Sequence, residues 1–125
     1  MNYRDLGKYL ESTSPSDLDE RVLEAIHERR VVKLTCNDVS LWVFNGRERD
    51  YLIVPRMYCS CMDFELNVVI RGSKPFCYHL IAQRISELRN AFKDLKVDMS
   101  TLIDVLIELI YLSRSPTLRR IISGH

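Results

Sequence analysis

The pair Cys59-Ser60-Cys61, followed fifteen residues later by Cys77-Tyr78-His79, constrains this chain more than any other stretch. Three of the four cysteines and one of the three histidines fall there. Thiolate and imidazole are the donors zinc prefers, and a structural site takes four of them at tetrahedral corners. A C-x-C…C-x-H arrangement supplies that set with none left over. The expectation is one structural Zn2+ held by Cys59, Cys61, Cys77 and His79. Two cysteines one residue apart converge in a strand or a tight turn. Cys77 and His79 open a helical pattern, where the helix N-terminus favours thiolate. A catalytic zinc would need an open position and a general base, and four protein ligands leave neither. The sequence also has no nucleophile–base pairing and no glycine-rich phosphate loop, so the chain reads as a non-enzyme.

A chain of 125 residues, 46% of them hydrophobic, suits one domain with a modest core that a metal would reinforce. With 18 basic and 17 acidic residues, any nucleic-acid contact must be a local patch. The charge is uneven: residues 1–70 are net acidic, residues 71–125 net basic, and 112–125 hold Arg114, Arg119 and Arg120 with no acid. No export signal is visible, and no apolar run approaches the about 18 residues that span a bilayer. An intracellular protein is expected, cytoplasmic in an archaeon or nuclear in a eukaryote, with thiols that are free or metal-bound.

Residues 3–11 predict a short helix, with Tyr3, Leu6 and Leu10 on one side. Ser12–Ser16 break it, and a second helix runs to about Arg30 with Leu18, Val22, Leu23 and Ile26 facing inward. His27 lies off that stripe, at the rim. The period then changes to two. Residues 31–35, 39–44 and 51–54 read as three antiparallel strands, joined by turns at Asn37-Asp38 and at Asn45-Gly46. Cys36 reads as a spare thiol in the first turn. Residues 62–70 fit either a strand or a short helix. A helix is expected from Phe76 to about Lys93, carrying Leu80, Ile81, Ile85, Leu88 and Phe92.

A last helix starts at a cap, Asp98 or Ser100, and ends near Ser113, with Pro116 as a stop. Its apolar residues cover most of its circumference, leaving one narrow polar stripe of Asp104 and Glu108. Such a helix must be buried on more than one side. Partner contact is therefore expected through Leu102, Leu106, Ile107, Leu109 and Ile110, in a homodimer or a heterodimer.

The strings Tyr58-Cys59-Ser60-Cys61-Met62-Asp63-Phe64 and Phe76-Cys77-Tyr78-His79-Leu80-Ile81-Ala82 resemble a SWIM-type zinc finger. Phe64 fills the aromatic place after the second cysteine, and Leu80–Ala82 the apolar helix after the histidine. Tyr78 stands where such fingers usually carry lysine. With its short strands before and two helices after, the chain is similar over residues 51–112 to the small SWIM-domain subunits of the Shu complex and their archaeal relatives. The resemblance implies a partner of RecA-type recombinase paralogs that promotes recombinase filament assembly on single-stranded DNA in homologous recombination. The alternative is a stand-alone DNA-binding protein or regulator. Single-strand binding needs cations interleaved with aromatic rings. The favoured set is Arg71, Lys74, Arg114, Arg119 and Arg120; Arg47 and Arg49 with Tyr51 and Tyr58 form another. The expected fold is α+β: short N-terminal helices, a small antiparallel three-stranded sheet, a ββα-like zinc finger and a C-terminal helical hairpin. It divides into a helical arm, 1–30, and a SWIM zinc-finger domain with C-terminal helices, 31–125.

Overall fold

The computed structural model describes residues 20–124. The helix expected at 3–11 and the inward Leu18 lie outside these residues. The described chain is α+β, with a sheet between two helical layers. Its elements are α1 (Glu20–His27), β1 (Val31–Cys36), β2 (Val39–Asn45), β3 (Asp50–Val54), β4 (Tyr58–Cys59), a π-helical segment (Phe64–Ile70), α2 (Tyr78–Leu88), β5 (Lys93–Lys96), α3 (Met99–Leu112) and α4 (Pro116–Ser123). Among the described residues no helix is long and apolar enough to cross a membrane.

The sheet order is β4-β3-β2-β1-β5. The three-stranded meander is present, but two further strands make a five-stranded mixed sheet. Strands β1 to β4 are antiparallel neighbours, whereas β5 runs parallel to β1, with Val32 opposite Lys93. Asn37 takes a left-handed φ of 54°, which asparagine tolerates, and so closes the two-residue turn between β1 and β2.

Side chains alternate across a strand, so β1 and β2 feed two cores. On one face Val31, Trp42 and Phe44 meet α1 and α2 through Val22, Ala25, Ile26, Leu80, Ile81 and Ile85. On the other, Val32, Leu34, Leu41 and Val43 meet Leu102, Val105 and Leu109 of α3 and Leu118 of α4. The described part of the expected 1–30 arm therefore belongs to the same core as the metal residues. Leu23, expected inward, is 41% exposed.

The helix from Phe76 stops at Leu88, five residues short of expectation. Asn90 turns left-handed at φ 54°, and Ala91 N–H donates to Ser86 O at 2.8 Å. Phe92 then packs edge-on against Trp42, centroids 5.0 Å apart, and Lys93–Lys96 adds to the sheet. Helices α2 and α3 are consequently on opposite faces rather than in a hairpin; the helical pair is α3 with α4. Asp98 caps α3 by accepting from Thr101 N–H at 2.8 Å. That helix ends at Ser113, left-handed at φ 56°, and Pro116 opens α4 from its first turn, with Ser115 as the cap accepting from Leu118 N–H at 3.1 Å.

Asp50 ties α4 to the sheet. It is fully buried, and its carboxylate accepts from Arg119 Nε and Nη2, both at 2.9 Å, from Ser115 N–H at 2.9 Å and from Asn45 Nδ2 at 2.8 Å. Removing one partner of a buried pair leaves an uncompensated charge, at a cost of about 3–5 kcal/mol. Arg119→Ala should lower the unfolding free energy by that amount in urea titration, whereas Arg120→Ala, on an exposed residue, should change it little.

Candidate metal centre

The four sequence-predicted ligands come together. Cys59, Cys61, Cys77 and His79 are all buried, and one ligand atom from each lies within 4.8 Å of the others. A tetrahedral ion with metal–sulfur bonds of about 2.3 Å and a metal–nitrogen bond of about 2.0 Å spaces its ligand atoms about 3.5–3.8 Å apart. Cys59 Sγ and His79 Nδ1 are 3.8 Å apart, close to such an edge. The set fits one metal ion in a closed four-ligand site.

Each ligand is placed by its local fold. Cys59 ends β4, paired with Ile53 of β3. Ser60, between the cysteines, is pinned twice to Leu52: its N–H donates to Leu52 O at 3.0 Å, and its Oγ accepts from Leu52 N–H at 2.9 Å. Cys61 Sγ accepts from Phe64 N–H at 3.3 Å as the chain enters the π-helical segment, which resolves the strand-or-helix ambiguity of 62–70. Cys77 is extended, with φ −80° and ψ 163°, and caps α2, whose first turn carries His79. The end of β4, the bend after it and the start of α2 thus deliver the ligands, with β3 paired beside β4.

The histidine is held by rings. Phe44, Tyr51 and Tyr78 lie 4.4, 4.6 and 4.0 Å from it, centroid to centroid. With Nδ1 towards Cys59, its buried Nε2 has no hydrogen-bond partner among the described residues. Metal-bound histidines usually fix their tautomer by donating from the second nitrogen. Here ring packing orients the imidazole instead. Tyr78 carries the Arg21 guanidinium 4.3 Å above its ring, so a positive charge stands beside the site.

The three thiols shift one another in opposite directions. Hydrogen bonding from Cys59, then from Cys77, holds Cys61 far below the usual thiol range. Hydrogen bonding with Cys61 and Cys77, then burial, pushes Cys59 far above it. Cys77 is drawn down by Cys59 but raised more by Cys61 and burial, and ends at about 12. A buried thiolate held by neighbouring thiols and the Phe64 N–H is what a divalent cation would relieve.

The predicted nucleic-acid residues are held in different ways. Lys74 pairs with Asp63 at 2.5 Å, and Arg71 Nη1 donates to Asn67 Oδ1 at 3.2 Å, so both brace the segment between the two ligand pairs. Arg114 donates to Glu48 O at 2.9 Å and Arg119 is spent on Asp50, while Arg120 is exposed. The predicted partner residues split as well. Leu102 and Leu109 are core residues, 5% and 2% exposed, because they pack on β1 and β2. Leu106 is half-buried, and Ile107 and Ile110 are open at 48% and 60%. Sequence reading missed the buried Asp50, whose only signal is an acid opening a strand, and the exposed Ile103 and Tyr111 that extend the stripe.

No family model, curated protein or solved structure matches this chain.

Hydrogen bonding with neighbouring thiols and burial raise the Cys59 and Cys77 thiols above their ordinary range, so an ion must displace protons to bind. Binding should therefore weaken as the pH falls and strengthen as it rises. Zn2+ competition against a chelator between pH 6.5 and 8 measures that slope, and a flat profile would contradict it. Cys77→Ser should lose the ion in elemental analysis and lower the melting temperature.

Proposed function

We propose that the chain is a non-enzymatic, zinc-stapled adaptor that docks a RecA-type recombinase paralog and promotes recombinase filament assembly on single-stranded DNA in homologous recombination. The observation that carries this reading is the closed Cys59–Cys61–Cys77–His79 site in ββα form, with the spacing and flanking aromatic of a SWIM finger. Three sulfurs and one imidazole in a closed site favour zinc, which needs no open position when its role is structural.

The docking surface in this reading is the outer face of α3. Ile103, Ile107, Ile110 and Tyr111 are 44–80% exposed on one side of a helix whose opposite side is committed to the core. Contiguous exposed apolar residues of this kind mark interaction sites. The zinc half gives that face a fixed base, because β1 is held on one side by the metal layer and on the other by α3.

Ile107→Lys together with Ile110→Lys should abolish capture of a RecA-type ATPase from native extract while leaving the melting temperature within a few degrees of wild type. Light scattering on the isolated chain tests the same face for self-association. Capture that survives the double substitution would remove α3 as the docking surface; extract that yields no recombinase at all would remove the adaptor reading.

A further inference from the structure

The cleft between α1 and the β2–β3 loop takes no part in metal binding or in the α3 surface. It measures about 560 Å3, within the range of about 300–1,000 Å3 common for ligand sites. Four guanidinium groups line it against the carboxylates of Glu24 and Glu48, and aromatic rings form its floor. Cations interleaved with rings are the composition that recognises phosphate and base together.

The arginines differ in how they are held. Arg47 meets Glu24 at 2.8 Å, but the two side chains are 75% and 51% exposed, so water screens the pair and a phosphate can displace it. The Arg49 guanidinium makes no hydrogen bond or ion pair among the described residues. Arg21 is stacked over Tyr78, and Tyr51 lies against His79. Both tyrosines line the cleft, so they offer it rings fixed by the metal layer.

The loop that carries Arg47 and Arg49 is fixed from the other side. Arg119 Nη2 donates to Gly46 O at 2.8 Å, and its Nη1 to Arg47 O at 3.2 Å. A side-chain carbon at Gly46 would come within 2.4 Å of Arg49 O, so the loop's tightness depends on that glycine. Two cations on a braced loop lose little freedom on meeting an anion, which favours affinity.

We propose that this cleft binds a nucleotide unit of single-stranded nucleic acid, with Arg47 and Arg49 on the phosphate and the Tyr51 and Tyr78–Arg21 platform against the base. A duplex keeps its bases stacked internally and cannot present one to the rings. An acidic peptide would use the arginines but leave the rings without a role. The site stands apart from the adaptor reading, since it requires no recombinase and no α3 contact.

Fluorescence anisotropy of a labelled oligothymidylate against the zinc-loaded full chain at low salt tests it. Wild type should bind. Arg47→Ala with Arg49→Ala should weaken binding about tenfold or more and flatten the salt dependence by one to two ions. Lys96→Ala, on the far edge strand, should change it less than twofold. An abasic strand of equal length and charge should bind several-fold more weakly. No binding by wild type, equal losses in the cleft and control variants, or equal affinity for the abasic strand would each overturn the proposal. Full displacement by an equal concentration of thymidine monophosphate would reassign the cleft to a free nucleotide and overturn the single-strand assignment. Circular dichroism of each variant, matching wild type, keeps a loss of binding from being a loss of fold. Binding that persists in Ile107→Lys/Ile110→Lys, which carries no change near the cleft, separates this outcome from the fate of the adaptor reading.

Discussion

Four ligand atoms within 4.8 Å of one another hold the edge of the sheet to the start of a helix. Everything on that face follows from the closure. β4 is only two residues long, too short to persist by hydrogen bonding alone, yet it must carry Cys59. The π-helical segment and the loop after it span the interval between the ligand pairs, and their ends are set by Cys61 and Cys77. The rings of Phe44, Tyr51 and Tyr78 surround the histidine, so the same closure sets the floor of the cleft under the β2–β3 loop.

The second constraint is the buried Asp50, reached by Arg119 from the opposite layer. The Cys/His cluster orders one face of the sheet and this pair fastens the other to it. They meet at the β2–β3 hairpin, whose strand residue Tyr51 touches the histidine and whose loop carbonyls accept from Arg119. Both layers hold the hairpin. Glu108 adds a smaller clasp, with Oε1 accepting from Ser115 Oγ at 2.7 Å and Oε2 from Thr117 Oγ1 at 2.7 Å, which joins α3 to α4.

The site was readable in the sequence because metal chemistry demands particular residue types at close spacing, and the turn at Asn45-Gly46 and the cap at Asp98 are local signals of the same kind. What could not be read depends on distant partners. Lys93-Asp94-Leu95-Lys96 has little strand propensity of its own; it becomes β5 because β1 presents an open edge to it. Pro116–Ser123 is short and polar on average, and α4 forms where Leu118 enters the second core and Arg119 finds Asp50. The all-round apolarity of α3 was visible, but which residues face inward depends on the sheet beneath it. Hence Leu102 and Leu109 turned out to be core while Ile107 and Ile110 stayed open. The charges of Lys74 and Arg119 were legible, and the acids that claim them were not.

The pairing of β1 with β2 carries a further implication. Trp42 and Phe44 face one layer while Leu41 and Val43 face the other, in register with Lys33, Val31, Leu34 and Val32. A slip of one residue would carry the large rings into the space shaped for aliphatic side chains, and the aliphatic ones against the imidazole. The two layers are therefore not interchangeable. Their unequal shapes act as a key that admits a single alignment, and the left-handed Asn37 in the connecting turn sets the same alignment from the end of the strands.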